Sequence, residues 1–187
     1  FAGTGVHALF GDFSVQMTDL TVPSRGLSFA FGRTYHSALT EDGIFGPGWA
    51  YSYAMRLWSE SASAIIVQMP DGRLDRYTLL DGHYQPPTGV YHDLLDDGDG
   101  TFRLKTKDQS TYEFRSDGYL AAIQDKNTNR IVLDYDGTGR VTRITDTVGR
   151  AFTLTYDGAG HIARLNIPSG GQIDYGYSNG RLSTVTD

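Results

Sequence analysis

Apolar and polar residues alternate through most of the second half of the chain. Ile131, Leu133 and Tyr135 alternate with polar neighbours, as do Phe152, Leu154 and Tyr156, and then Ile173, Tyr175 and Tyr177. Each trio begins 21 residues after the last. A period of two places each trio on one face of a strand. Ser110, Tyr112 and Phe114 carry the register one unit upstream. The opposite face carries Val132 and Asp134 in one unit and Thr153 and Thr155 in the next.

A second column marks turns. Gly118, Gly139, Gly160 and Gly180 stand 21, 21 and 20 residues apart. Apolar residues follow at the second and fifth positions: Leu120 and Ile123, Val141 and Ile144, Ile162 and Leu165, Leu182 and Val185. That odd spacing puts the two side chains on opposite faces of a regular strand, so either both faces are partly covered or a bulge resets the register. Asp125, Asp146 and Asp187 follow at the seventh position, with Ile167 as the exception. Asp125 and Asp146 are expected to be turn residues whose carboxylates accept backbone N–H bonds. Asp146 to Arg150 joins the strands within a unit, and Asp157 to Gly160 links it to the next. A unit of this kind cannot bury its apolar face alone, so the pattern predicts hairpins stacked side by side into one sheet.

The first half does not repeat but also reads as strands. Phe29 to Tyr35 alternates, and Ile65, Val67 and Met69 lead into the turn Pro70-Asp71-Gly72-Arg73. The fold class is therefore all-β: an antiparallel sheet domain over residues 1–108, continuing into about three stacked repeats over residues 109–187. The first domain is expected to cap the first repeat and supply a polar outer face.

Composition narrows the functions. The 187 residues include 23 Gly and 12 Tyr, which suits many tight turns between strands. The formal net charge of −6 argues against nucleic acid as a partner. Cysteine is absent, which excludes disulfides, thiolate metal sites and a cysteine nucleophile. No apolar run reaches the roughly 20 residues of a membrane helix. The chain opens at Phe1 rather than Met, which suggests a processed or excised piece.

Tyr135-Asp136-Gly137 with Gly139-Arg140-Val141, and Tyr156-Asp157-Gly158 with Gly160-His161-Ile162, resemble YD repeats, also called RHS repeats. The match is weaker at 160–178, where Ile167 and Ser178 depart from the pattern. The first half resembles the domain that precedes such repeats, in Gly11-Asp12-Phe13-Ser14, Asp19-Leu20, Pro23-Ser24-Arg25-Gly26-Leu27, Arg33-Thr34-Tyr35-His36-Ser37, Phe45-Gly46-Pro47-Gly48-Trp49 and Met55-Arg56-Leu57. The resemblance implies a β-ribbon that spirals into a hollow shell, which in bacterial members encloses a C-terminal toxin. It implies a secreted or cell-surface structural role without catalysis. Self-cleavage does not carry over, since the chain has no Asp-Pro dipeptide.

Candidate sites are few. Tyr135, Tyr156 and Tyr177 could form a stacking ladder for sugar rings; the simpler expectation is sheet packing with each hydroxyl bonded to backbone. Asp96, Asp97 and Asp99 are a weak metal candidate. Counted from Asp97, a helix-loop-helix calcium loop requires Gly at the position of Phe102 and Glu at that of Asp108, so the pattern fails. The five histidines are scattered, Gly3-Thr4-Gly5 lacks the context of a nucleotide loop, and no catalytic carboxylate pair stands out. The expectation is a structural protein with no catalytic residue, cofactor or metal. Gly118, Gly139, Gly160, Gly180, Tyr135, Tyr156, Tyr177, Asp136 and Asp157 hold the repeat. Partners are further repeats, or other copies added at the edge strand, with carbohydrate binding and filament assembly as alternatives.

Overall fold

The computed structural model describes residues 3–7 and 12–187. Of the stretches singled out above, Gly11 lies outside the described residues. Among them there is no helix. In chain order the strands are β1 (Gly3–His7), β2 (Asp12–Val22), β3 (Phe29–His36), β4 (Asp42–Gly43), β5 (Gly46–Pro47), β6 (Trp49–Tyr51), β7 (Arg56–Ser61), β8 (Ala64–Gln68), β9 (Leu74–Leu80) and β10 (His83–Gln85). They continue as β11 (Asp93–Asp96), β12 (Phe102–Lys105), β13 (Thr111–Phe114), β14 (Leu120–Gln124), β15 (Arg130–Tyr135), β16 (Val141–Thr145), β17 (Ala151–Tyr156), β18 (Ile162–Asn166), β19 (Gln172–Ser178) and β20 (Arg181–Thr186).

Strands β7 to β20 form one antiparallel sheet of 14 strands, in which every strand pairs with its neighbours in sequence. This is what consecutive hairpins with short turns must give. The sheet runs through residue 108 without a break, since β12 and β13 pair from Phe102↔Phe114 to Lys105↔Thr111. The alternating trios point to its inner face: Ile131, Leu133, Phe152, Leu154, Ile173 and Tyr175 are all buried.

A repeated bulge resolves the odd apolar spacing. Tyr135 pairs with Val141 but Asp134 pairs with Arg143, so Thr142 has no opposite number. The same shift separates Tyr156↔Ile162 from Thr155↔Arg164, and Phe114↔Leu120 from Glu113↔Ala122. One extra residue turns Val141 and Ile144 to the same side, and both are buried.

The long sheet also curls back on itself. The Leu57 N–H donates to the Gly118 carbonyl at 2.9 Å, and Arg56 forms an antiparallel bridge with Tyr119. The edge strand β7 thus meets the turn between β13 and β14, so one lap of ribbon overlaps the next.

A second sheet, in the order β1-β2-β3-β6, packs across the inner face of this ribbon. Phe29 and Phe31 are fully buried and belong to the same core as the repeat side chains. The rings of Phe29 and Phe152 stack at 3.6 Å, and Phe45 meets Tyr175 edge-on at 4.9 Å. The first half does more than cap the repeats: its β12 pairs with β13 at their edge, and its N-terminal sheet lies over their face as far as Tyr175. The reason is burial: a ribbon curled on itself exposes a concave apolar face, and a second sheet covers more of it than an edge cap could.

Candidate functional site

The turns between ribbon strands share one chemistry. Asp136 accepts the N–H groups of Thr138 and Arg140 on one oxygen, and the Arg140 Nε at 2.9 Å on the other. Asp146 does the same for Val148 and Arg150, with Arg150 Nε at 2.7 Å. Asp125 holds Asn127 and Asn129, and Asp157 holds Ala159 and His161. Three of the four turns run Asp-x-x-Gly-polar and the Asp125 turn has Thr128 in place of the glycine, with the carboxylate in each serving donors two and four residues ahead. The fourth residue needs positive φ; glycine supplies it at Gly139, Gly149 and Gly160, and Thr128 adopts it at φ 67°.

These bonds favour the ionised carboxylates. The Arg140 N–H and the Thr138 hydroxyl hold the Asp136 carboxyl well below the usual range. For Asp146 burial pushes the other way, yet the N–H and guanidinium of Arg150 and the N–H of Val148 leave it lowered. Ile167 is a natural comparison. Its turn keeps the backbone bonds, Ile167 N–H to the Gly171 carbonyl at 2.8 Å and Gly170 N–H to the Ile167 carbonyl at 3.0 Å. No carboxylate is needed there, because the Ile167 side chain packs on the core instead. Gly180 sits in a different turn: Asn179 and Gly180, with φ of 51° and 72°, form a two-residue hairpin between Ser178 and Arg181. That shorter turn accounts for the final spacing of 20.

Tyr135, Tyr156 and Tyr177 are half-buried. Their hydroxyls donate to the carbonyls of Leu120, Val141 and Ile162, at 2.7, 2.7 and 2.8 Å. Burial raises all three above the ordinary phenol range. Each ring is also covered by the residue that follows a repeat glycine: Tyr119 at 5.3 Å, the Arg140 guanidinium at 4.8 Å and His161 at 4.7 Å. Three different side chains fill one role in different ways: Tyr119 packs at a 50° tilt, Arg140 places its cation over the ring and His161 stacks on it. With hydroxyls and ring faces engaged, the geometry suits a sheet-locking ladder better than a row of sugar platforms.

The acidic loop is self-contained. Asp96 accepts the Gly98 N–H, Asp99 accepts the N–H and hydroxyl of Thr101, and Asp97 pairs with Arg103. Among the described residues no group of three or more His, Asp or Glu side chains converges as a metal site requires.

The contacts that seat the N-terminal sheet carry no motif. Arg33 forks onto Asp19, its Nε 2.8 Å from Oδ2 and its Nη2 3.0 Å from Oδ1, with both side chains buried. The Tyr175 hydroxyl donates to the same Asp19 oxygen at 3.0 Å, and Trp49 lies 5.0 Å from the guanidinium. Further along, His161 Nε2 meets Asp42 at 3.1 Å, and the Ile162 N–H donates to the Ile44 carbonyl at 2.8 Å. Thr147 bonds Ser24 and the Arg25 carbonyl, both at 2.6 Å. One signal for this cluster was present: Arg33 continues the inward register of Phe29 and Phe31, and an inward charge demands a partner.

The arrangement defines a class: a ribbon of carboxylate-locked hairpins with an N-terminal sheet docked on its inner face. Residues 3–77 match a domain of unknown function (DUF6531), and residues 135–172 match the RHS repeat. The chain belongs to the RHS-repeat proteins. It is similar to the tRNA3(Ser)-specific nuclease WapA of Bacillus spizizenii, the tRNA nuclease WapA of Bacillus subtilis strain 168 and the tRNA(Glu)-specific nuclease WapA of Bacillus subtilis subsp. natto. Each is 37% identical over 134 residues, which is 71% of this chain but 6% of the relative.

Proposed function

We propose that this chain is the plugged first section of an RHS-type β-shell, a structural and non-catalytic part of a secreted or cell-surface protein that encloses or presents a toxic C-terminal domain. The observation that carries the proposal is the overlap of β7 with the turn at Gly118. A ribbon that meets its own edge after one lap can continue as a spiral wall, and the buried Phe29, Phe31 and Phe45 close its interior. The nuclease names of the relatives support a toxin as the cargo class. The net charge of −6 argues against RNA as a partner of this chain. In this reading β20, an outer strand of the ribbon, offers its free N–H and C=O groups to a following repeat or to another copy.

The test is a chimaera in which this chain replaces the matched stretch of the Bacillus subtilis strain 168 relative. The expected result is a protease-resistant protein. Gly118→Val, whose side chain collides with the Leu57 carbonyl, should open the overlap and admit protease to the downstream chain. Equal digestion of the two chimaeras would overturn the shell reading.

A further inference from the structure

The turn between β19 and β20 is made by the single Asn-Gly pair in the chain, Asn179-Gly180. Ser178 pairs with Arg181, and the two residues between them close the hairpin with φ of 51° and 72°. Asn-Gly suits such a turn because both positions need positive φ. Both residues are exposed, and β20 is an outer strand of the ribbon. A hairpin at the end of a sheet opens at lower cost than one in its middle.

The other three asparagines are held or hindered. The Asn129 side-chain amide donates to Asp125 at 2.8 Å, and that of Asn166 donates to the Thr153 carbonyl and hydroxyl at 3.3 and 3.2 Å. Asn127 precedes Thr128, whose N–H donates to the Asp125 carbonyl at 3.1 Å and whose branched side chain crowds that nitrogen. Asn166 precedes Ile167, whose N–H donates to the Gly171 carbonyl at 2.8 Å. Among the described residues neither the Asn179 side-chain amide nor the Gly180 N–H has a hydrogen-bond partner. A Cβ built on Gly180 would meet nothing within 4 Å, so the space beside its nitrogen is open. An unheld side-chain amide thus adjoins an unheld backbone nitrogen that no side chain shields.

We propose that Asn179 is a site of self-modification, at which the β19–β20 hairpin deamidates to an aspartate or isoaspartate form. The Gly180 nitrogen bonds to the side-chain carbonyl carbon of Asn179 and gives up its proton. The bond from that carbon to the amide nitrogen breaks, and ammonia leaves. Water then opens the resulting five-membered imide at one of its two carbonyls, and nothing is oxidised or reduced. Opening at one carbonyl gives aspartate. Opening at the other gives isoaspartate, which routes the backbone through the side-chain methylene. A two-residue turn cannot absorb that extra atom and keep Ser178 opposite Arg181. The turn also rests on the N-terminal half: a Cβ on Gly46 of β5 would come 2.6 Å from the Gly180 carbonyl oxygen. Isoaspartate therefore lifts the turn off β5 and loosens β20. The inference goes beyond the shell reading and does not depend on it, because it follows from one hairpin and its contact with β5.

The test is to incubate the 187-residue chain in mildly alkaline buffer and follow each asparagine by peptide mass mapping, with enzymatic methylation to detect isoaspartate. Asn179 should convert at least about tenfold faster than Asn127, Asn129 and Asn166, equivalent to a barrier lower by about 1.4 kcal/mol. Isoaspartate should appear at position 179, and amide exchange at Leu182 and Val185 should speed up as it accumulates. Gly180→Ala places a methyl beside the attacking nitrogen and should slow the conversion. Asn179→Gly keeps a residue that the turn accepts and removes the reacting amide. After the same incubation its exchange at Leu182 and Val185 should be unchanged, with circular dichroism confirming the fold of both variants. Conversion of all four asparagines at one rate, aspartate without isoaspartate at position 179, or exchange that speeds up equally in Asn179→Gly would each overturn the inference.

Discussion

In the ribbon, every strand is bonded to those before and after it in the chain, and turn carboxylates serve donors only two and four residues away. The N-terminal sheet is anchored differently. Its links to the ribbon join residues far apart in sequence, Asp19 to Tyr175, Ser24 to Thr147 and Asp42 to His161. The ribbon adds one hairpin at a time, so its cost in chain entropy is met locally. The two regions nevertheless share one core, so they are expected to unfold together rather than as separate domains.

The sharpest way to break this comparison is at the buried ion pair. Asp19→Ala strands Arg33 in the interior and removes the acceptor of the Tyr175 hydroxyl, and should cost about 3–5 kcal/mol in a urea titration. The double change Asp19→Leu with Arg33→Met should recover most of that, since a buried pair is often no better than an apolar replacement. Two separated transitions in the single variant would show that the regions are less coupled than the shared core implies.

Next in size is a test of the ribbon's faces. Leu154→Ala empties a buried position and should cost about 2–5 kcal/mol. Thr153→Ala, on the other face of β17, should cost less than about 1 kcal/mol. Equal losses would mean that the inner face has been misassigned.

Two glycines with nearly identical backbone separate local strain from tertiary contact. Gly118 and Gly149 have φ of 82° and 85° in equivalent turns. An alanine at either pays about 1–2 kcal/mol for the left-handed conformation. Around Gly149 the space is open, whereas at Gly118 the new Cβ collides with the Leu57 carbonyl. Gly118→Ala should therefore be clearly the worse of the two and should speed amide exchange at Leu57. Identical costs would remove the evidence that the lap contact matters.

The smallest effect concerns the turn carboxylates. Asp146→Ala should cost about 1–2 kcal/mol, as loss of a side-chain cap does, and should leave the fold intact, as the Ile167 turn already lacks the carboxylate. Folding lowers the carboxyls of Asp125, Asp136 and Asp146, so the unfolded chain takes up protons more readily. Their contribution is complete above the unfolded value near pH ~4 and is lost as pH falls through the lower folded values. Melting temperatures between pH 6 and pH 2 should fall less steeply for Asp146→Ala than for the parent chain. Parallel curves would show that Asp146 does not couple protons to folding.

Much of the ribbon was legible without coordinates, because its determinants sit within a few residues of one another. Alternation along Phe152, Leu154 and Tyr156 encodes a strand face through the period of the backbone itself. An Asp-x-x-Gly turn encodes its own closure, since donors and acceptor share a five-residue window. What the sequence left open was decided by tertiary structure. The choice between two covered faces and a bulge at Val141 and Ile144 depends on which neighbour lies opposite Thr142. The overlap of Leu57 with Gly118 depends on how far the twist of successive strands curls the sheet. The partner of Arg33 comes from a segment with no shared periodicity. Hydrogen-bond geometry along a strand acts at short range and leaves a repeating trace in the sequence. Burial acts between surfaces brought together by the whole chain, and it leaves only single residues, such as an arginine where a phenylalanine would be expected, to mark where it acted.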